Sequence, residues 1–188
     1  MNYRTMPSPE VIAAREKLVL DHFHDEVVQQ WDEVLATFPH PHYELIATMT
    51  VHDGDAEVRD YYRDTRIAFP NQDHELISLR HSHDAVIAEF WLLGTHRGPL
   101  GAIPATGSRF RVRMTALFIF DQDERLVIER IYFDSLTMLK QLLAGAKLKN
   151  PGNWPLAIKA LRGLMKMSGV PDARLLVTTP PKLAPSLG

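Results

Sequence analysis

Cysteine is absent from the 188 residues of this chain. Its absence excludes disulfide bonds, thiolate metal ligands and a cysteine nucleophile. Long apolar runs are also missing, since no stretch approaches the roughly 18 residues that a membrane-spanning helix needs. Residues 1–16 lack the apolar core of a secretory signal. We therefore expect a cytoplasmic protein without a membrane partner.

Neither sign of charge dominates, since 21 Lys and Arg residues stand against 23 Asp and Glu residues, for a net charge of −2. No basic cluster alternates with aromatic residues, which argues against nucleic-acid binding. The glycine-rich signatures of dinucleotide and phosphate binding are missing, as is the Gly-x-Ser-x-Gly motif of serine hydrolases. We expect no cofactor and no nucleic-acid partner.

Apolar residues make up 45% of the chain, which is enough for one domain with a core. Ser8 and Pro9 are typical of a helix start, and apolar residues then recur at helical spacing as far as Phe38. Further helices are predicted over 56–67 and 135–143, and strands over 43–51, 75–79, 85–96, 109–120 and 126–133. This order predicts an α+β domain, with helices packed on one face of a curved antiparallel sheet.

The pattern changes after Gly145. Asn150-Pro151-Gly152 is typical of a linker, because proline and glycine interrupt regular structure. An amphipathic helix is predicted over 154–167, and a proline-rich tail follows it. We therefore divide the chain into a domain over 1–145 and a C-terminal helical extension over 146–188.

The stretch Gly94-Thr95-His96-Arg97-Gly98 ends one predicted strand and is followed by the loop end Pro104-Ala105-Thr106-Gly107. Side chains alternate along a strand, so a pocket-facing His96 predicts the same face for Phe90, Leu92 and Gly94. That face is apolar and has one polar group at its end, as the mouth of a pocket would.

A single carboxylate, Asp134, stands at the end of the last predicted strand. Counting back with a period of two puts Tyr132, Arg130 and Ile128 on the same face as Asp134. By the same count Glu129 belongs to the outward-looking face. The strand over 109–120 offers either of two alternating sets to the interior, and its sequence does not choose between them.

These motifs resemble the SnoaL-like polyketide cyclases of the nuclear transport factor 2-like (NTF2-like) superfamily. The likeness consists of the Gly-Thr-His-x-Gly strand end, the Pro-x-Thr-Gly loop end and a final strand ending in Asp, and it covers residues 19–143. The resemblance implies a cone-shaped barrel, in which a strongly bent sheet wraps around long helices and encloses a deep apolar pocket. It implies a small hydrophobic molecule as the partner.

In the cyclases the matching aspartate is a general acid/base, so the resemblance implies that Asp134 removes a proton next to a carbonyl group. Burial in an apolar pocket would raise the pKa of such a carboxyl group toward the working pH. His96 would then donate a hydrogen bond to the developing enolate oxygen. Two structural roles compete with these: Asp134 as the N-cap of the following helix, and His96 as a hydrogen-bond partner of the glycine-rich loop.

Further residues are expected to contact the substrate because of their strand face or their place in the family pattern. Two of them lie where the first helices give way to the first strand, a region that borders the pocket in this fold. The expected substrate-binding residues are Phe90, Leu92, Gly94, Tyr132, Tyr62, His42 and Tyr43.

Three functional hypotheses remain open. The first is a cofactor-independent cyclase or isomerase that acts on a hydrophobic carbonyl compound, and the second is a non-catalytic protein that binds a small molecule. An epoxide hydrolase is a minor alternative, in which Arg113 or Arg130 would stand between Asp134 and a second acid.

Paired histidines such as His22 and His24 do not predict a metal site, because positions two apart on a helix point to different sides. We therefore expect no metal ligands. Aromatic stripes on the predicted strands, with Phe118, Phe120 and Phe133, are typical of a core or of a sheet-to-sheet dimer face. We expect a homodimer.

Overall fold

The computed structural model describes residues 5–145, 150–166 and 170–175. Within these residues there are five α-helices and six β-strands. The helices are α1 (Pro9–Val28), α2 (Trp31–Ala36), α3 (Asp55–Ala68), α4 (Ser135–Ala144) and α5 (Trp154–Lys166). The strands are β1 (His42–Leu45), β2 (Thr50–Asp53), β3 (Asp73–His81), β4 (Ala85–Thr95), β5 (Arg109–Phe120) and β6 (Leu126–Phe133). The predicted α+β class is confirmed.

The six strands form one sheet in the order β2-β1-β6-β5-β4-β3. Neighbouring strands are antiparallel, as predicted, with one exception. Strands β1 and β6 pair in parallel, and Tyr43 stands opposite Glu129. The predicted strand over 43–51 is divided into β1 and β2 by a turn in which Met49 has a φ of 56°.

The alternation predicted for β4 is present in the structure, since Phe90, Leu92 and Gly94 all face the interior. The choice left open for β5 is decided in favour of the set that contains Met114 and Phe118. Helix α1 packs on this inner face of the sheet. Its Phe23 ring lies 4.9 Å from the ring of Phe90 and 5.4 Å from that of Phe118, measured between centroids.

Strand β6 departs from the predicted alternation because it contains a bulge. Phe120 pairs with Leu126, but Ile119 pairs with Ile128, so β6 has one extra residue at this point. An extra residue reverses which side chains face inward beyond it. Glu129 is therefore buried, and Tyr132 is exposed. The predicted inward face with Tyr132, Arg130 and Ile128 is wrong for this reason.

The C-terminal extension packs on the domain at two places. Gly163 of α5 lies so close to the loop over 99–105 that a Cβ atom there would be 2.4 Å from the Ala102 carbonyl oxygen. Farther along, the backbone N–H of Asp172 donates to the Met49 carbonyl oxygen at 2.9 Å. None of the described helices is both long enough and apolar enough to cross a membrane.

The Gly94–Gly107 stretch is held to α3 by a close backbone approach, which predicts a stability effect. The N–H groups of Arg97 and Gly98 both donate to the Ala68 carbonyl oxygen, and a Cβ at Gly98 would lie 2.1 Å from the Ile67 carbonyl oxygen. We expect Gly98→Ala to lower the free energy of unfolding by about 1–3 kcal/mol, because overpacking forces the backbone apart.

Urea denaturation measures this loss. Gly152→Ala is the matched control, because the nearest atom to a Cβ at Gly152 is Asn150 Oδ1 at 3.4 Å. Equal stabilities of the two variants would contradict the close approach at Gly98.

Candidate functional site

A cavity of about 600 Å³ lies between the inner face of the sheet and helices α1, α3 and α4. Most of its wall is apolar, and every surrounding element contributes to it. Representative wall residues are Phe23 of α1, Phe90 and Leu92 of β4, Met114 of β5, Ile103 of the loop over 99–105, and Leu142 of α4. A volume of this size and a mostly apolar lining are common features of small-molecule pockets in proteins.

The cavity wall also contains ionisable side chains. Glu26 comes from α1, Tyr62 from α3, His74 from β3 and Glu129 from β6. Both carboxyl groups are almost fully buried, and Glu129 is only 2% exposed. Buried carboxylates destabilise a protein unless they are paired or hydrogen-bonded, so their partners decide their charge.

Behind the cavity, His22 begins a directed chain of hydrogen bonds. The Thr37 hydroxyl donates to the Val34 carbonyl oxygen at 2.6 Å. Thr37 Oγ1 is therefore left to accept from His22 Nδ1, which lies 3.0 Å away, and this assigns a proton to Nδ1. On the other side of the ring, Nε2 lies 3.0 Å from the Tyr43 hydroxyl oxygen.

The chain continues from Tyr43 to the cavity wall. The Tyr62 hydroxyl donates to Glu26 Oε1 at 2.5 Å, so the Tyr62 oxygen accepts from the Tyr43 hydroxyl, its other partner. Tyr43 has then used its only proton and accepts from His22 Nε2. Both ring nitrogens of His22 therefore donate, which makes the ring a cation.

The pKa values of the three buried groups agree with this chain. Burial alone would lower the pKa of His22, but the carboxyl groups of Glu129 and Glu26, 3.3 and 3.5 Å from Nε2, raise it to about 9. Burial would raise the pKa of Glu26, but the hydrogen bond and positive charge of His22, with the hydrogen bond from Tyr62, lower it to about 2. The pKa of Glu129 is raised by burial and by the charge of Glu26, in spite of His22.

The pKa values of the two carboxyl groups in this cavity are thus shifted in opposite directions, that of Glu26 downward and that of Glu129 upward. Glu26 is held as a permanent anion, whereas Glu129 is held toward its protonated form. Such a division of roles between two carboxyl groups is how acid/base sites separate the proton-transferring group from the charge that supports it.

His74 lies between Phe23 and Phe90, with ring centroids 5.0 and 5.2 Å away. Its Nε2 is 3.6 Å from Glu26 Oε2. Burial lowers the pKa of His74, and the attraction of Glu26 does not compensate. The cavity wall therefore contains a neutral imidazole beside the Glu26 carboxylate.

Ligand atoms of His22, Glu26 and Glu129 lie within 4.8 Å of one another, a spacing that could hold a metal ion. Glu129 Oε2, 3.3 Å from His22 Nε2, has no hydrogen-bond partner among the described residues. A metal needs a lone pair from the imidazole, however, and in the chain described here both nitrogens of His22 donate protons. The geometry therefore favours protons over a metal ion at this position.

The structure brings three of the predicted substrate-binding residues into the cavity wall: Phe90, Leu92 and Tyr62. The other four lie elsewhere. Tyr43 is fully buried behind the wall, in the hydrogen-bond chain. Gly94 faces inward but is covered by the Phe110 ring. His42 is hydrogen-bonded to Asp53 at 2.7 Å, and Tyr132 is exposed on the outer side of β6.

Asp134 does not lie in the cavity wall, which corrects the placement expected for it. It is the exposed N-cap of α4, where its carboxylate accepts from the Thr137 backbone N–H at 3.0 Å and from the Thr137 hydroxyl at 2.5 Å. These hydrogen bonds lower the pKa of Asp134. Asp134 thus has the surroundings of the competing prediction, a helix cap. Beyond the bulge the odd-numbered residues of β6 face the interior, so Asp134, which has an even number and follows the strand, does not.

His96 is fully buried, as a neighbour of the cavity and not as part of its wall. Its Nδ1 lies 3.0 Å from Thr106 Oγ1, and its backbone pairs with Ser108 and Gly107. Burial lowers the pKa of His96, so the ring is neutral. These contacts match the competing structural role predicted for His96, that of a hydrogen-bond partner of the glycine-rich loop.

Sequence reasoning missed His22, Glu26, His74 and Glu129. A usable signal existed on α1, since His22 and Glu26 are four residues apart and fall in the same helical stripe as the buried Val19 and Phe23. Polar residues inside an apolar stripe indicate a buried network. For Glu129 no local signal existed, because the bulge that turns it inward is a property of the pairing with β5.

The Asp–Arg–Asp arrangement considered for an epoxide hydrolase is not assembled among the described residues. Arg113 pairs with Glu89 at 2.7 Å on the outer face of the sheet. Arg130 pairs with Glu44, and neither arginine contacts Asp134.

The chain matches the model of the SnoaL-like polyketide cyclase family over residues 18–142. No curated protein matches the sequence. Among solved structures, a protein from Jannaschia sp. CCS1 named after the SnoaL-like polyketide cyclases is 19% identical, with a TM-score of 0.66, over 75% of this chain and 99% of that one.

Two further structures have lower TM-scores. The epoxide hydrolase/cyclase-like enzyme SalBIII is 15% identical, with a TM-score of 0.56, over 66% of this chain and 94% of that one. A protein with a ketosteroid isomerase-like fold from Catenulispora acidiphila is 16% identical, with a TM-score of 0.56, over 72% and 94% of the two chains. These likenesses establish the NTF2-like fold that the sequence motifs implied.

The charge assigned to His22 predicts how stability depends on pH. A histidine whose pKa rises from 6.5 to about 9 on folding stabilises the protein fully below about pH 6.5 and loses this effect as the pH rises through about 9. The loss amounts to up to about 3 kcal/mol. Ionisation of Glu129 adds a loss of the same sign, and Glu26 titrates well below this range.

We expect His22→Gln to have a flatter stability profile than the wild type between these two pH values, measured by urea denaturation. The control is His24→Gln, an exposed position on the same helix, which keeps the wild-type slope. A His22→Gln variant with the full wild-type slope would contradict the cationic assignment.

Proposed function

Because the chain belongs to the SnoaL-like polyketide cyclase family, we propose that its cavity binds a hydrophobic carbonyl compound and that Glu129 transfers a proton in a cyclisation or isomerisation. The observation that supports this most directly is the pair of buried carboxyl groups in one apolar cavity, whose pKa values are shifted in opposite directions. The reaction needs no cofactor in this scheme.

Glu129 has the properties that a general acid/base needs. Burial raises its pKa, and a carboxyl group titrating nearer neutral pH is a stronger base when it is ionised and a usable acid when it is protonated. The ionised form would remove a proton next to the substrate carbonyl group, and the protonated form would return it at another atom. Glu26 remains an anion throughout.

The developing enolate oxygen requires hydrogen-bond donors. Tyr61 and Gln72 also line the cavity and carry suitable O–H and N–H groups. Burial, with the charges of Glu26 and Glu129, raises the pKa of Tyr61, so its hydroxyl stays protonated. Tyr62 is a less suitable donor because its proton is already shared with Glu26.

A non-catalytic ligand-binding protein is the second candidate. It is favoured by the completeness of the hydrogen-bond chain from Thr37 to Glu26, which gives each of these groups a structural role. The name of the similar structure SalBIII, an epoxide hydrolase/cyclase-like enzyme, supports a catalytic use instead. An epoxide hydrolase remains the weaker candidate, because Arg113 and Arg130 are engaged with acids on the outer face of the sheet.

Ligand binding in the cavity is tested by a substitution that places a larger side chain in it. Leu92 faces the cavity, and Leu93, the next residue, faces the opposite side of β4. We expect Leu92→Trp to weaken binding of the neutral fluorescent probe N-phenyl-1-naphthylamine about fivefold, since about 1 kcal/mol of apolar contact is displaced.

Fluorescence titration measures the affinity, and thermal unfolding confirms that each variant is folded. Leu93→Trp adds the same side chain outside the cavity and should bind the probe like the wild type. If Leu93→Trp weakens binding as much as Leu92→Trp does, the probe is not in this cavity.

The catalytic role of Glu129 is tested with a simple hydrophobic ketone. We expect the wild-type protein to accelerate deuterium uptake at the α-carbon of 2-tetralone in D₂O, with a chelator present. Glu129→Gln should lower this acceleration about a hundredfold, a typical contribution of a general acid/base. The exchange is followed by NMR.

Two controls separate Glu129 from other carboxylates. Glu89→Gln changes a half-buried acid on the outer face of β4, and Asp134→Asn keeps a helix-capping side chain; both variants should exchange at the wild-type rate. No acceleration by the wild-type protein, while the cavity still binds the neutral probe, would favour the non-catalytic candidate.

A further inference from the structure

Helix α5 exposes large apolar side chains to solvent. Trp154, Ile158 and Leu161 are 57%, 50% and 58% exposed. Their spacing of four and three residues places them on one side of the helix. Several large apolar residues on the same exposed side of a helix indicate a surface that interacts with something other than water.

Two small residues, Ala160 and Gly163, lie on the side of α5 that faces the domain. Ala160 is buried, and a Cβ at Gly163 would collide with the Ala102 carbonyl group. The helix therefore lies flat on the loop over 99–105 and cannot roll its large residues inward without losing this contact. Ile103 of the same loop lines the cavity, so α5 is one layer away from the binding site.

The charge of α5 differs from that of the whole chain. Its sequence contains three basic residues, Lys159, Arg162 and Lys166, and no acidic one, although the chain has a net charge of −2. Lys159 and Arg162 are exposed and border the groove between α5 and the loop over 99–105, so they flank the apolar side that contains Ile158 and Leu161. The partner of this surface must therefore be both apolar and anionic.

A second copy of this chain fits the surface poorly. A two-fold symmetric pairing through α5 would bring Lys159 and Arg162 of both copies together, and like charges in an interface oppose association. An anionic bilayer surface satisfies both requirements, because its acyl region buries Trp, Ile and Leu side chains while its phosphate groups attract Lys and Arg.

We propose that α5 binds in the plane of an anionic membrane surface and holds the domain there as a peripheral protein. The sequence-based expectation of no membrane partner depended on the lack of a spanning run, which an in-plane helix does not need. The proposal does not depend on the reaction proposed for Glu129.

Vesicle co-sedimentation of the full chain tests the proposal. The vesicles contain phosphatidylcholine with about 30% phosphatidylglycerol, a composition that gives an anionic surface. We expect the wild-type protein to sediment with them and the double variant Ile158→Glu/Leu161→Glu to bind about tenfold more weakly. Pure phosphatidylcholine vesicles should bind the wild type more weakly than the anionic ones, and added salt should weaken anionic binding.

The matched control is Leu20→Glu/Val28→Glu, which adds the same two charges to α1 at residues that are 44% and 45% exposed. This variant should bind vesicles like the wild type. Sedimentation velocity and thermal unfolding of all three proteins establish that folding and oligomeric state are comparable.

Three results would overturn the proposal. The first is a wild-type protein that stays in solution with anionic vesicles. The second is an equal loss of binding in the α1 control, which would indicate a general charge effect. The third is an α5 variant that dissociates a wild-type oligomer while vesicle binding is unchanged, which would assign the surface to a second copy of the chain.

Discussion

The ion pair of His22 with Glu26, one helical turn apart on α1, is the interaction on which the interior of this protein depends. Its atoms lie 3.5 Å apart, out of contact with solvent. Removing one partner of such a pair typically destabilises a protein by about 3–5 kcal/mol, because an uncompensated charge remains buried. Tyr43 from β1 and Tyr62 from α3 complete its hydrogen bonds. The pair therefore sets how these two elements meet α1.

The same interaction produces the candidate site. Burial raises the pKa of Glu129, and the negative charge that Glu26 holds next to His22 raises it further. Glu129, the carboxyl group outside the His22–Glu26 pair, is thus the one suited to proton transfer. The proposed acid/base therefore lies beside the pair, on β6 opposite Tyr43 of β1, and not at the end of that strand, where Asp134 stands.

The overall architecture could be predicted from the sequence. Helical spacing up to Phe38, strict alternation over 85–96 and the glycine-rich stretch that follows led to the α+β class and the family. Local pattern suffices there because each element buries one side of itself against the same core. Two features could not be predicted from the sequence: the parallel pairing of β1 with β6 and the docking of α5 through Gly163. Both depend on chain segments that are far apart in sequence.

The site was predicted only in part. Phe90 and Leu92, expected from strand face, and Tyr62, expected from the family pattern, do lie in the cavity wall, but Asp134 and His96 have structural surroundings. The sequence by itself determined the elements, the apolar faces and the family, because side-chain periodicity follows from backbone geometry within each element. Only the tertiary structure decided which carboxyl group enters the cavity, because the bulge in β6 and the burial of His22 with Glu26 arise when separate elements pack together.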